Sequence, residues 1–170
     1  PFHSVPFHSV PFHSVPFQID HLALRANTEE KAKNWLTELL KCGRILSDNI
    51  VNGRPIYLIE LDEPVDFIGQ PVDVIELPFP KNKQYPQETW EHIEIVMPFL
   101  SHESVEDWVN RICNTFLWKE LTQLTMKVSE PKVEGEQLPN PSIAVSFVDK
   151  TENHVCIKVH PYTIKKILEV

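Results

Sequence analysis

Residues 90–97 read WEHIEIVM, where isoleucine and valine surround a histidine and two glutamates. Such a density of β-branched residues predicts a β-strand. Side chains alternate between the two faces of a strand, so His92 and Glu94 share one face and Ile93 and Ile95 the other. A strand with one wet face would explain this pattern, and so would a strand whose polar face lines a site.

A second strand of the same kind is predicted at QIDHLALR, about seventy residues earlier in the chain. His21 and Arg25 fall on one face of this strand, and the leucines between them fall on the opposite face. His21 and His92 therefore occupy equivalent positions in the alternation of side chains along the two strands. One wet face explains a single segment well, but matching histidines in two segments favour a shared site.

The same order of elements is predicted after each of these strands. The first is followed by an amphipathic helix, with a capping box at Asn27 and Glu30, and then by three extended runs, with a hairpin turn at Asn52-Gly53. The second is followed by a helix capped by Ser104, three more extended runs and a short terminal helix. The pattern predicts two βαβββ units, at about 18–80 and 90–162, and an α+β fold.

The first residues do not fit this pattern. PFHSV occurs three times in succession before the predicted fold begins. Proline at every fifth residue removes backbone donors and prevents a regular helix, so residues 1–17 are predicted to form an extended tail or to be an artefact. Residues 18–170 are predicted to form a single domain.

Composition narrows the classes of function. The formal net charge of −8 argues against a nucleic-acid partner, because such a protein presents a basic face. The chain contains no apolar run of the length that a membrane helix needs, so no membrane partner is expected. Three widely spaced cysteines in apolar surroundings predict buried thiols in a reducing, cytoplasmic compartment and no disulfide framework.

The closing strands of the two units also match. Glu76 in VIELP and His160 in KVHP each stand just before a strand ends. If both units curve around one cavity, His21, Glu76, His92 and His160 would converge as metal ligands. Imidazoles and a carboxylate suit a divalent ion such as Zn²⁺, Mn²⁺, Fe²⁺, Ni²⁺ or Co²⁺. Taken singly, a histidine on a strand is more often a hydrogen-bonded core or surface residue.

Three further residues are candidates for the same site. Glu94 lies on the face of His92 and is predicted to be a general base or a rival ligand, although a solvated carboxylate would fit the pattern too. Arg25 could clamp a substrate carboxylate or carbonyl, or form a surface salt bridge. Tyr57 could line a substrate pocket, although aromatic residues at strand ends usually pack.

Several motifs together resemble one known family. DHLALR, NGRPI, VIELPFP, YPQETWEHIEIV, LPNPSIAV and IKVHPY are similar to the bacterial YecM family, from about Ile19 to the C-terminus. That family is placed with glyoxalase I and the extradiol dioxygenases in the vicinal oxygen chelate superfamily. The resemblance implies two βαβββ modules that form a half-open barrel around a metal ion.

The resemblance also implies a ligand set from the first and last strands of each module. These positions fall on His21, Glu76, His92 and the end of the strand at 158–160. A fourth glutamate ligand, common in glyoxalases, is replaced here by His160 or by nothing. The chain also has the PFHSV repeat where the family carries additional N-terminal helical sequence. The reaction of the glyoxalases is therefore not carried over.

Two classes of function follow. The first is a metal-dependent enzyme of isomerase, lyase or dioxygenase type, whose small-molecule substrate chelates the metal through two oxygens. The second is a non-catalytic protein that binds a small molecule on the same fold. The matching histidines favour the enzyme. The sequence is consistent with a monomer or a homodimer.

Overall fold

The computed structural model describes residues 17–116, 120–130, 138–149 and 155–169. The PFHSV repeat lies outside these residues, so the predicted tail stays a prediction. The chain divides into two compact units, which are described separately. Among the described residues, the first unit comprises Ile19–Glu94 with 168–169, and the second comprises 17–18 with those of 95–167.

The first unit contains a mixed sheet and one helix. The strands lie in the order β2-β4-β5-β1-β6, and β3 pairs with β4. Strand β5 runs parallel to β1, whereas β4 is antiparallel to β2 and to β5. The elements in chain order are β1 (Gln18–Leu24), α1 (Glu29–Leu39), β2 (Gly43–Ser47), β3 (Ile50–Val51), β4 (Arg54–Phe67), β5 (Gln70–Pro78) and β6 (Trp90–Val96).

The start of helix α1 differs from the prediction. Thr28, and not Asn27, is the N-cap, and its hydroxyl accepts a hydrogen bond from the Lys31 amide at 3.2 Å. Asn27 instead exchanges two hydrogen bonds with the backbone of Tyr85, at 2.7 and 2.9 Å. Asparagine and threonine are both good N-caps, so the local sequence does not decide between Asn27 and Thr28. The contact of Asn27 with Tyr85, distant in sequence, decides it.

Strand β4 is long, with 14 residues. It continues through Glu63-Pro64 to Phe67 and turns back into β5 at Ile68-Gly69, both with positive φ. The pairing of β4 with β5 shifts register between Glu60 and Val65. Pro64 falls within this irregular segment, where a missing backbone donor is tolerated. The predicted hairpin at Asn52-Gly53 is confirmed, with φ values of 53° and 81°.

The second unit contains the end of β6 and the elements that follow it. Its strand order is β6-β9-β8-β7, with β8 antiparallel to both of its neighbours in β7 and β9. The predicted cap of α2 is confirmed, because the Ser104 hydroxyl accepts from the Asp107 amide at 3.0 Å. The elements are α2 (Val105–Phe116), β7 (Leu124–Ser129), β8 (Ser142–Phe147), β9 (Cys156–His160) and α3 (Ile164–Leu168).

Both predicted βαβββ modules are confirmed. In each module the first strand lies beside the last, β1 beside β5 and β6 beside β9. Strand β6 opens the second module, but its residues up to Glu94 belong to the first unit. Within the described ranges, no helix is long and apolar enough to cross a membrane. Cys113 and Cys156 are buried as predicted, whereas Cys42 is exposed, and all three are thiols.

Candidate metal centre

Three neighbouring strands of the first unit bring four ionisable side chains together. Strand β1 lies between β5 and β6. Ala23 pairs with Glu76 in the parallel register, which places Glu76 on the face of β1 that also carries His21. His92 and Glu94 lie two residues apart on β6 and therefore share a face. Side chains from β1, β5 and β6 meet on this side of the sheet.

The imidazole Nε2 atoms lie close to both carboxylates. His92 Nε2 is 3.3 Å from Glu76 Oε2 and 3.2 Å from Glu94 Oε1. His21 Nε2 is 3.7 Å from Glu76 Oε1 and 3.8 Å from Glu94 Oε1. The ligand atoms of His21, Glu76 and Glu94 all lie within 4.8 Å of one another. We call His21, Glu76, His92 and Glu94 the four-residue cluster.

These separations match the dimensions of a metal site. A divalent first-row ion binds nitrogen or oxygen at roughly 2.0–2.2 Å, which places its ligand atoms about 3–4 Å apart. The four distances between imidazole and carboxylate atoms fall in this interval. Two imidazoles and two carboxylates are also donors that Zn²⁺, Mn²⁺ and their first-row neighbours accept. The residues present therefore fit a divalent cation.

Burial makes a purely structural role for the two imidazoles costly. His21 is 4 % exposed and His92 is 2 % exposed. Within the part of the chain that the structure describes, the buried Nε2 atoms of both rings have no hydrogen-bond partner. A buried polar atom without a partner costs about 1–3 kcal/mol. A bound cation would supply the missing interaction to both rings.

The other nitrogen of each ring is held by the preceding residue. His21 Nδ1 lies 2.7 Å from Asp20 Oδ2, and His92 Nδ1 forms a hydrogen bond with Glu91 Oε2. The same Glu91 oxygen lies 3.3 Å from Arg25 Nε. Both rings therefore direct Nδ1 to a carboxylate and Nε2 to the four-residue cluster.

The cluster and its neighbours bring four carboxylates close together. Asp20, Glu76, Glu91 and Glu94 contact two imidazoles and the Arg25 guanidinium. Carboxylates that lie together in a region of low dielectric repel one another, and a cation bound among them would reduce that cost.

The carboxylates also shift the pKa values of the imidazoles. Burial alone would lower the pKa of His21, but Glu94, Asp20 and Glu76 outweigh it and raise that pKa to about 10. Burial likewise opposes the shift at His92, yet Glu76, Glu91 and Glu94 raise its pKa well above the ordinary value. Burial would raise the pKa of Glu76, but its contacts with both histidines hold it well below the usual range.

Two other predicted site residues make contacts of a different kind. Tyr57 lies on β4 and pairs with Leu77 of β5, so it is on the face of the sheet opposite to Glu76. Its ring packs on Phe79 with centroids 5.3 Å apart. His160 ends β9 in the second unit, where its carbonyl accepts a hydrogen bond from the Met97 amide at 2.9 Å. The substrate role of Tyr57 and the ligand role of His160 stay predictions.

Arg25 is 7 % exposed and is not at the surface. Its guanidinium lies over the Tyr85 ring, with the central carbon 5.1 Å from the ring centroid. Sequence reasoning missed the roles of Asp20 and Glu91, because adjacent residues of a strand point to opposite faces. The signal that could have found them is the acid-histidine pair, which occurs in both opening strands.

Solved structures define the class of fold. The chain is similar to a variant of Streptomyces coelicolor methylmalonyl-CoA epimerase in complex with 2-nitronate-propionyl-CoA, with a TM-score of 0.50 and 11 % identity over 84 % of this chain and 95 % of that chain. At this identity the likeness shows the fold alone. The predicted fold class is confirmed: the chain has an α+β, glyoxalase-like fold built from two βαβββ modules.

Comparisons of sequence then give the family. The model of the family described as "YecM protein" matches residues 7–170, so the chain belongs to the YecM family. It is 40 % identical to Protein YecM of Escherichia coli over 88 % of this chain and 76 % of that protein. It is 74 % identical to a Haemophilus influenzae protein described as uncharacterized, over 89 % of this chain and 78 % of that protein.

A solved structure supports the same assignment. The chain is similar to the structural-genomics protein EC4020, with a TM-score of 0.76 and 33 % identity over 96 % of this chain and 82 % of that chain. This similarity spans both βαβββ modules, and it is much closer than the similarity to the epimerase.

Proposed function

We propose that this chain is a metal-dependent enzyme of the vicinal oxygen chelate superfamily. Its substrate would be a small molecule that presents two oxygens to a divalent ion in the first unit. The observation that carries the proposal is the convergence of two buried imidazole Nε2 atoms with the carboxylates of Glu76 and Glu94. The cation is one of Zn²⁺, Mn²⁺, Fe²⁺, Ni²⁺ and Co²⁺.

In this proposal each residue of the cluster has a role. His21 and His92 bind the ion through Nε2, and Glu76 binds it through its carboxylate. The ion supplies Lewis acidity toward the substrate oxygens. The surrounding chain keeps the ligands in a nearly dry environment, because His21 and His92 are at most 4 % exposed. A dry site strengthens every electrostatic interaction with charge that develops on the substrate.

Two roles are open to Glu94, and a single variant separates them. A ligand role is supported by Glu94 Oε1, which lies 3.2 Å from His92 Nε2. The alternative is the general base predicted from the sequence, which would take a proton from the substrate. If Glu94 is a ligand, Glu94→Gln weakens metal binding. If it is the base, the same variant binds metal as the wild type does and loses turnover.

The remaining assignments belong to the same proposal. Arg25 would contact an acidic or carbonyl group of the substrate, because its buried Nη1 has no hydrogen-bond partner among the described residues. His160 would be a further ligand, and Tyr57 would contact the substrate. The reaction is of isomerase, lyase or dioxygenase type. A cytoplasmic location and a monomeric or homodimeric state are expected.

The proposal is tested by metal binding. Titration of metal-free protein with Zn²⁺ or Mn²⁺ should show one high-affinity site, and His21→Ala and His92→Ala should each abolish it. His102→Asn is the matched control, because His102 is exposed and has a φ of 63°, which asparagine tolerates. Wild-type protein that binds none of the five candidate metals would contradict the enzyme and leave a metal-free binding protein on the same fold.

A further inference from the structure

Each imidazole of the cluster has a carboxylate behind it, supplied by the residue that precedes it in the chain. Asp20 Oδ2 lies 2.7 Å from His21 Nδ1, and Glu91 Oε2 forms a hydrogen bond with His92 Nδ1. The Asp20 and Glu91 side chains are 9 % and 15 % exposed. These carboxylates are therefore well shielded from water, which would otherwise weaken their hold on the rings.

The hydrogen bond at Nδ1 decides what the opposite nitrogen can do. An imidazole whose Nδ1–H donates a hydrogen bond to a carboxylate has its ring plane fixed and can bind a metal through Nε2. Without the carboxylate, the ring can rotate about its side-chain bonds or carry its proton on Nε2. Either change removes a donor atom from the four-residue cluster.

The carboxylates of Asp20 and Glu91 differ in one respect. Glu91 Oε2 also lies 3.3 Å from Arg25 Nε, so one oxygen faces both a guanidinium and an imidazole. Arg25 is held in turn by two contacts. Its guanidinium lies over the Tyr85 ring, and its backbone amide donates a hydrogen bond to the Thr89 carbonyl at 2.9 Å. The carboxylate behind His92 is thus held by a second group.

We propose that Asp20 and Glu91 are positioning residues of the metal centre. Each holds the Nδ1 proton of the histidine that follows it and so aims Nε2 at the ion, and Arg25 keeps the Glu91 carboxylate in place. Neither acid binds the ion. This inference rests on the proposed function for the identity of the ligand, but the hydrogen bonds to Nδ1 can be tested in metal-free protein.

The metal-free test uses nuclear magnetic resonance of the histidine side chains. In wild-type protein the Nδ1 protons of His21 and His92 should be visible and protected from exchange with water. Asp20→Ala should abolish the protected Nδ1 signal of His21 and leave that of His92, and Glu91→Ala should do the reverse. A protected signal that survives its own alanine variant would overturn the proposal whether or not the protein binds metal.

The second test measures the dissociation constant for Zn²⁺ or Mn²⁺. Loss of such an outer partner typically weakens metal binding about 10–100-fold, so Asp20→Ala and Glu91→Ala should fall in that interval. Asp20→Asn and Glu91→Gln keep an oxygen acceptor and should recover part of the affinity. Glu30→Ala, which removes an exposed carboxylate of the same unit, is the matched control and should bind as the wild type does.

The outcomes separate this inference from the proposed function. Unchanged affinity in both alanine variants, with the fold intact by circular dichroism, would overturn the positioning role and leave the metal centre standing. A wild-type protein that binds no metal, but whose protected Nδ1 signals respond as expected, would overturn the proposed function instead. If an alanine variant does not fold, the amide variant of the same residue supplies the decisive measurement.

Discussion

Two clusters of charged residues, one in each unit, are built on opposite plans. In the second unit, Glu103 accepts from Arg111 Nε at 2.7 Å and Nη2 at 2.9 Å, and from the Leu100 amide at 3.0 Å. Arg111 Nη2 also donates to the Pro98 carbonyl at 2.8 Å. In the first unit, the buried Nε2 atoms of His21 and His92 lie near carboxylates but have no hydrogen-bond partner among the described residues.

The difference separates a structural pair from a site. The Glu103–Arg111 pair has a partner for each charge and needs no further ligand. The four-residue cluster brings ionisable groups together from three strands, with the Nε2 atoms of His21 and His92 close to the carboxylates of Glu76 and Glu94. Since buried polar atoms without hydrogen bonds are costly, the second arrangement suits a binding site better than it suits the stability of the fold.

The largest expected effect comes from Glu76. Its two oxygens lie 3.7 Å from His21 Nε2 and 3.3 Å from His92 Nε2, so it connects the two imidazoles. Glu76→Gln should weaken metal binding by more than the roughly 10–100-fold that loss of an outer partner causes. Isothermal titration with Zn²⁺ measures this change. Binding equal to that of the wild type would remove Glu76 from the ligand set.

The next effect is the dependence of metal affinity on pH. A metal ion must displace the protons held by the imidazoles, so affinity should rise with pH. Because the pKa of His21 is raised to about 10, this rise should continue to about pH 10. An ordinary imidazole, with a pKa near 6.5, would stop contributing in the neutral range. Dissociation constants measured from pH 6 to 10 test this, and a plateau above pH 7 would contradict it.

The smallest effect is expected at the Glu103–Arg111 ion pair of the second unit. Arg111 lowers the pKa of Glu103, so the stability that this carboxylate contributes is present at neutral pH and is lost as the pH falls through its lowered pKa. Glu103→Gln should lower the free energy of unfolding at pH 7 by about 1–3 kcal/mol. Denaturant unfolding measures the change.

The same variant is a control for the comparison between clusters. Glu103→Gln should leave the affinity for Zn²⁺ unchanged, because the Glu103–Arg111 pair has a partner for each charge and needs no further ligand. A loss of metal affinity in this variant, with no loss of stability, would contradict the distinction between the two clusters.

The sequence predicted the parts of this site that follow from alternation along a strand. The phase of His21 in DHLALR and of His92 in EHIEIV could be read directly, because side chains of a strand alternate. The βαβββ order followed from helix periodicity and from turn residues such as Asn52-Gly53. The fold class could therefore be predicted well.

Other parts depended on contacts between distant segments. The register that places Glu76 beside Ala23 is set by the pairing of β1 with β5, which no local pattern encodes. The hydrogen bond of Glu91 to His92 depends on side-chain rotamers and on Arg25, because alternation along the strand places these neighbours on opposite faces. The N-cap of α1 also depended on a distant contact: the Asn27 side chain binds the backbone of Tyr85, and Thr28 caps the helix instead.

The most direct test of the metal centre is anomalous diffraction from crystals of the protein soaked in Mn²⁺ or Zn²⁺. One strong anomalous peak is expected in the first unit, about 2.1 Å from the Nε2 atoms of His21 and His92 and bonded to the Glu76 carboxylate. Asp20 and Glu91 should remain on the Nδ1 atoms without touching the ion. A peak bound through Nδ1, a peak elsewhere, or none at saturating metal would contradict the proposed metal centre.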